Sequence, residues 1–365
     1  MMAYVATRGG EYAIEQAERL FRADLGPITR ERVEAVRTGL PYLIDRVMGE
    51  ASLYEPDLAA LALAQAGGDL YEAILLLRAY RTTQPRIAVA EPVGQTDLFT
   101  VRRISAAFKD IPGGQILGPT LDYSHRLLQV DVLKGEDYVP EPVIPAAKPA
   151  PATQPSLTSW QKAQGLIPEH PAQAVAPDDI PDLTREPLLF PAARAHKLQS
   201  LARSDTGGTL ALGYATMRGY SSVHPTVNEL RLAEAPVRMR HPCGTIFSAG
   251  RVRVSQTEVI SKARELELGF SATFGWNEVK VIAAATLDLA STQPNPHPAA
   301  NEEFVLYHTE PVESSGFCIH FKLPHYVTFQ SSLDALRRVK ADKSTATTKP
   351  ADDEKLATRQ EEVAL

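Results

Sequence analysis

Twelve of the chain's 28 prolines fall between Gly135 and Pro191. Each proline fixes its own φ and removes a backbone donor. Pro140, Pro142, Pro145, Pro149, Pro151 and Pro155 recur every two to four residues with alanine between them. Such a stretch favours extended, polyproline-like or disordered chain. It reads as a tether or wrapping segment with Trp160 as its one anchor, and it divides the sequence. An N-terminal region, 1–134, is helical and then strand and loop. The tether spans 135–193. A C-terminal α+β domain covers 194–340. A tail, 341–365, of Ala, Lys, Thr and Glu without aromatics has the composition of disordered chain. The fold class expected is α+β, a helical N-terminal region followed by a mixed α/β region.

With 365 residues, 44% of them hydrophobic, the two flanking regions can bury a real core. Asp and Glu number 44 against 38 Lys and Arg, a net charge of −6, which argues against a partner bound by bulk phosphate neutralisation such as nucleic acid. No apolar run approaches the ~20 residues of a membrane helix, so no membrane is expected. The first residues lack the charged and apolar regions of a signal peptide. Cys243 and Cys318 cannot build a disulfide framework, and a reducing cytoplasm fits best. No repeat of fixed period is visible.

Apolar spacing predicts a one-faced helix from Glu11 to Phe21 and another from Arg32 to Met48, with Pro41 splitting or restarting the second. Pro56-Asp57 starts a helix that Gly67-Gly68 stops, and Asp69 caps one from Leu70 to Tyr80. Leu98–Val101 reads as a short strand. Asp110-Ile-Pro-Gly-Gly-Gln115 reads as a shaped loop. Further on, Thr245–Val254 and Gly269–Phe274 read as strands, and Asn277 caps a helix from Glu278 to Ala290. Glu302–His308 is helical, Gly316–Leu323 a strand with Cys318 packed in it, and Tyr326–Val339 a closing helix. His224-Pro225 and His241-Pro242-Cys243 look like turns.

Three constellations carry possible chemistry. In Gly316-Phe-Cys-Ile-His320-Phe-Lys-Leu-Pro324-His325, two histidines stand five apart. They diverge on a helix and face opposite ways on a strand, but a bend at Leu323-Pro324 can turn His325 toward the side of His320. Two imidazoles leave a metal site open to water, substrate or a third residue, for which His308 is a candidate. Equally, one histidine is a satisfied strand residue and the other caps the next helix. Second, Arg78, Arg81, Arg86, Arg102, Arg103 and Lys109 stand against Glu91 and Asp97. The guanidinium fork matches phosphate oxygens, and Gly113 and Gly114 in the loop that follows can offer backbone amides to an anion. The loop is neither a Walker loop nor a dinucleotide fingerprint, and a solvated helix face or protein–protein rim explains the charge as well. Third, Asp122-Tyr-Ser-His125-Arg126 packs triad residue types into five positions. Triads assemble from separated positions, so a loop lining a polar site is the better reading. Arg8-Gly-Gly-Glu11 is either an anion-binding or a plain turn.

Several stretches together resemble one family. They include Tyr4-Val-Ala-Thr-Arg-Gly-Gly-Glu11, Leu58–Gln65, Glu72–Thr83 and Arg102-Arg-Ile-Ser-Ala-Ala-Phe-Lys-Asp-Ile-Pro-Gly-Gly-Gln115. Leu117-Gly-Pro-Thr120, Asp122–Leu128, Gly219-Tyr220 with His224-Pro225, Glu302–Leu306 and Gly316–Tyr326 continue the match. The chain resembles the PhnI subunits of the bacterial carbon–phosphorus lyase system along nearly its whole length, departing chiefly at 135–191 and 231–268.

The resemblance implies replacement of the purine of MgATP or MgGTP by an alkylphosphonate, giving ribose 1-phosphonate 5-triphosphate. It implies purine nucleosidase activity when alone. It names PhnG, PhnH, PhnJ and PhnL as partner subunits, with the radical iron–sulfur chemistry in PhnJ. It makes His320 and His325 ligands of a divalent metal, zinc by preference. Displacing a purine passes through a cation-like sugar centre, which needs a carboxylate, a proton for the leaving base and cations for the magnesium-bound triphosphate. Asp110 and Asp122 are candidates for the carboxylates and His125 for the proton donor. Arg102, Arg103 and Lys109, with Gly113 and Gly114, are candidates for the triphosphate. A scaffold subunit that lends two histidines to an inter-subunit metal is the alternative.

Overall fold

In a computed structural model the chain is described over residues 11–143, 154–168, 180–220, 224–262, 265–322 and 326–347. It divides into two compact units. The larger is Glu11–Ser315; Gly316 and the residues after it belong to the smaller. The Arg8-Gly-Gly turn, Pro324 and His325 lie outside the described residues.

Five helices open the larger unit: α1 (Glu11–Leu25), α2 (Arg30–Gly39), α3 (Pro41–Ala51), α4 (Pro56–Gln65) and α5 (Leu70–Thr82). Their punctuation is local. Thr29 and Asp69 accept hydrogen bonds from the backbone amides of Arg32 and Glu72, and Pro41 and Pro56 occupy first-turn positions where a missing N–H costs nothing. Ile44, Val47, Met48, Leu63, Ala73, Ile74 and Leu77 form the core that α3, α4 and α5 share, with Val33 and Val36 of α2 packed against it.

The sheet follows. β1 (Phe99–Ile104), β2 (Thr226–Arg240), β3 (Ile246–Lys262) and β4 (Leu266–Phe274) lie side by side in sequence order, all antiparallel. β1 comes from ahead of the proline-rich segment and pairs with β2 from beyond it, so the two flanking regions share one hydrogen-bonded sheet. A register shift between Thr100 and Arg102 bulges β1.

The proline-rich segment departs from its expected extended form. Leu157–Ala163 is a helix, α6, capped by Ser156. Leu157, Thr158 and Gln161 on it are buried, as are Gln154 and Ile167 beside it. Trp160 meets Phe108 edge-on at 6.2 Å. A buried leucine at the first position of a short, well-capped helix outweighs the surrounding prolines, because burying it removes apolar surface from water.

α7 (Arg194–Ala202) and α9 (Glu278–Ser291) pack on the sheet, and α8 (Thr206–Ala215) and α10 (Glu302–His308) pack on those helices. Asn277 caps α9 through the Lys280 amide. Val259 of β3 packs on Ala285 and Leu289 of α9. Gly269 lets the two backbones touch, since a Cβ there would collide with Ala285 O and Leu289 Cβ. α7, α9 and α10 share a second cluster through Leu201, Leu287, Val305 and Leu306.

Two expectations near the C-terminus are corrected. Of the expected strand Gly316–Leu323, Gly316–Phe321 is helical, since α11 runs Pro311–Phe321, and Leu323 lies outside the described residues. Glu310 Oε2 accepts from the amides of Val312 and Glu313, and Pro311 follows it, which together start a helix. Cys318 is consequently an exposed helix residue rather than a strand residue. α12 runs Tyr326–Thr347, past the expected start of the tail at Ala341; residues 348–365 lie outside the described residues. No helix among the described residues is long and apolar enough to cross a membrane.

Candidate functional site

The Asp110–Gln115 loop and the segment after it are built on two neighbouring strand residues. Adjacent strand positions face opposite sides of a sheet, so Arg102 and Arg103 leave β1 in opposite directions. Both are fully buried. Arg103 Nε donates to Glu229 on β2. Its Nη1 donates to Pro112 O at 2.7 Å and Gly114 O at 3.0 Å, and its Nη2 to Pro155 O at 3.0 Å. Arg102 Nε donates to Glu278 Oε1 at 2.5 Å, Nη1 to Leu117 O at 2.6 Å and Nη2 to Asp122 Oδ2 at 2.6 Å. One arginine therefore holds the front of the loop and the other its return.

The loop closes on itself as well. Arg103 and Ile116 exchange backbone hydrogen bonds at 2.7 Å in each direction. Gln115 caps the carbonyls of Phe108 and Lys109 and accepts from the Ser105 amide. Gly113 and Gly114 have φ of +83° and +75°, conformations that favour glycine, and a Cβ on Gly113 would collide with Gln154.

This geometry changes the expected roles. Arg102 and Arg103 spend their guanidinium donors on protein partners, so they fix the loop instead of presenting free cations to a triphosphate. The Gly114 amide donates to Ile111 O at 2.9 Å inside the turn, which removes it from the anion donors proposed there. Lys109, Asp110, Gly113, Asp122 and His125 are all exposed. Asp122 keeps one oxygen on Arg102 while its Oδ1 lies 3.9 Å from Arg126. The segment carrying Asp122 and His125 has an unusual surface. Leu121, Tyr123, Leu127, Leu128, Leu133 and Val139 are each at least two-thirds exposed, a density of exposed apolar side chains along one segment that suits an interaction surface.

Sequence reasoning did not find the partners that make this site. Behind Arg103, Glu229 Oε1 also accepts from Arg231 Nη2 at 2.8 Å. Burial pushes the nearby Glu258 carboxyl up, opposed by hydrogen bonds from Thr158 and from Gln95 at 2.8 Å. Glu229-x-Arg231 on one strand face was the available signal, two opposite charges in an otherwise buried strand.

Of the metal pair, His320 is on α11 and partly buried, while His325 lies outside the described residues. His308, the candidate third ligand, lies on α10 with its Nδ1 2.7 Å from Phe304 O and its ring stacked on Phe304, which leaves Nε2 as the nitrogen able to ligate. Among the described residues no group of three or more His, Cys, Asp or Glu is arranged to hold a metal. The donor chemistry of two imidazoles suits zinc, but two ligands do not close a site.

The family model described as bacterial phosphonate metabolism protein (PhnI) matches residues 3–343. The chain belongs to the PhnI family. Relatives match nearly its whole length. The chain is 41% identical to the alpha-D-ribose 1-methylphosphonate 5-triphosphate synthase subunit PhnI of Rhizobium meliloti, covering 94% of this chain and 96% of that one. It is 39% identical to the subunit of the same name from Escherichia coli, over 93% and 99% of the two chains. HtxH of Stutzerimonas stutzeri, provisionally named a C-P lyase subunit protein, is 42% identical over 94% of this chain and 98% of its own. PhnI membership thus extends through the sheet, the loop after β1 and most of α12.

Proposed function

We propose that this chain is the base-displacing subunit of a ribose 1-phosphonate 5-triphosphate synthase. It exchanges the purine of MgATP or MgGTP for an alkylphosphonate, together with PhnG, PhnH and PhnL, and uses water as the nucleophile when alone. What carries the reading is the near-full-length identity to two proteins named as that synthase's PhnI subunit.

The chemistry asks for a C1′–O bond to a phosphonate oxygen as the C1′–N9 bond breaks. The bonding pair leaves with the purine, which takes up one proton. His125 is the proton donor in this reading. Asp110, an exposed carboxylate on a fixed loop, faces the developing charge at C1′. Asp122, oriented by Arg102, supports either task. Lys109 meets the magnesium-bound triphosphate. Arg102 and Arg103 are positioning residues that hold the loop in register, since small misplacements of reacting groups are expensive in rate.

His320 and His325 would hold a divalent metal, zinc by donor type, able to act as a Lewis acid toward a phosphonate or phosphate oxygen when bound. The open two-histidine set fits a centre completed by PhnJ and used in the later lyase step. A scaffold role is the second reading, and the exposed apolar run from Leu121 to Val139 favours it. The two are compatible, because that surface carries Asp122 and His125, and a partner covering it would exclude water from the site.

Chromatography of the purified chain with MgATP or MgGTP, with and without PhnG, PhnH, PhnL and methylphosphonate, tests the reading. Free purine with an intact ribose triphosphate is expected from the chain alone, and the phosphonate adduct from the mixture. No purine in either reaction leaves the scaffold reading in its place.

A further inference from the structure

The basic cluster that the sequence displays does not stay together. Arg102 and Arg103 are spent on the loop, whereas Arg78 and Arg81 at the end of α5 gather with Arg86, Arg185 and Arg203. Among the described residues these five guanidiniums share two carboxylates. Asp182 takes Arg86 at 2.5 Å and Arg185 at 3.7 Å, and Glu310 takes Arg78. Both acids are thereby engaged before Arg81 and Arg203 are reached.

Arg81 and Arg203 line a cavity of about 330 Å³ between the end of α3, the end of α7 and the edge of β4. They are the charged residues of its described wall; the rest is mainly small, hydroxyl-bearing or apolar, including Val254, Ala272 and Phe274. Phe274 is 40% exposed, and its ring stands edge-on to Tyr54. The volume falls at the lower end of small-ligand pockets. Arg203 Nη1 donates to Leu183 O at 3.0 Å, but its buried Nε finds no partner among the described residues. Burial, and then the like charge of Arg78, pull Arg203 down to about 10 against the opposing pull of Glu310; burial likewise lowers Arg81. A desolvated cation without its own counter-ion is costly, and an incoming anion relieves that cost. Planar guanidinium groups take phosphate oxygens in bidentate fashion.

We propose that this cavity binds a small organic phosphate, with a flat apolar body against Phe274, Val254 and Ala272 and phosphate oxygens on Arg81 and Arg203. The proposal does not depend on the loop after β1 or on turnover there.

Calorimetric titration of the full chain with AMP, adenosine and inorganic phosphate tests it, alongside Arg81→Gln, Arg203→Gln and, as a control on the loop, Asp110→Asn. AMP is expected to bind at least tenfold more tightly than either fragment. Each arginine variant should weaken AMP binding at least tenfold, with Asp110→Asn unchanged. Should Arg203→Gln fail to fold, the more exposed Arg81→Gln decides alone, with its thermal midpoint as the check on folding. Equal binding of adenosine and AMP overturns the proposal, as does AMP binding that is absent, unmoved by the arginine variants or lost in Asp110→Asn. Purine release is not read, so failure here leaves the displacement reading standing.

Discussion

Arg102 and Arg103 grip one loop from two faces of a strand, and the grip is costly to break. Removing one member of a buried pair leaves the other charge uncompensated, at about 3–5 kcal/mol. Arg103→Leu leaves Glu229 and the Pro155 carbonyl to Arg231 alone and frees the Pro112 and Gly114 carbonyls, so denaturant titration should show a loss at the lower end of that range. Arg126→Leu, whose ion pair with Asp122 is exposed, should stay within about 0.5 kcal/mol of wild type. Lys280 gives a pH-dependent counterpart. It is fully buried, its Nζ donates to Ala202 O at 2.7 Å, and burial, opposed by the Glu50 carboxylate, lowers it from 10.5 to about 8. The unfolded chain binds this proton more tightly than the folded one, so the burial cost is fully present below about pH 8. It fades as pH rises toward 10.5 and is worth about 3 kcal/mol across that window. The stability difference between wild type and Lys280→Met should move in favour of wild type by about that amount from pH 8 to 10.5. A pH-independent difference would refute the assignment.

Elements with a local cause were legible in the sequence. Pro41 separates α2 from α3, Asp69 and Asn277 cap α5 and α9, and the Pro-Gly-Gly run is an irregular loop. α11 was not legible in the run Gly316–Leu323, because a short apolar run does not tell helix from strand. Its start signal, Glu310-Pro311, lies outside that run. α6 was hidden differently, as a single capped leucine turn inside a composition that argues for extended chain. If α6 belongs to the core rather than to a tether, Leu157→Ala should cost about 2–5 kcal/mol, read as a fall in denaturation midpoint with an unchanged slope. A cost below about 0.5 kcal/mol would return the segment to the tether reading.

At the scale of the whole molecule, the sequence suggested the residue types of the candidate site but not the geometry that holds them. Asp110, Asp122, His125 and Lys109 stand out because polar and glycine residues crowd one stretch of chain. That Arg102 answers to Glu278 and Arg103 to Glu229 cannot be read locally, since 176 and 126 residues separate the partners. The antiparallel sheet closes those distances by pairing β1 with β2 across the proline-rich segment. The result is a clamped loop with exposed acid and imidazole groups beside exposed apolar side chains. The most direct test of this account is the rate of purine release from MgATP with methylphosphonate and PhnG, PhnH and PhnL present, comparing wild type with Asp110→Asn, Asp122→Asn and His125→Gln. The account predicts folded variants and a loss of at least a hundredfold for Asp110→Asn, about the contribution of a positioned catalytic group. Losses below tenfold in both aspartate variants would contradict it and move the chemistry away from this loop.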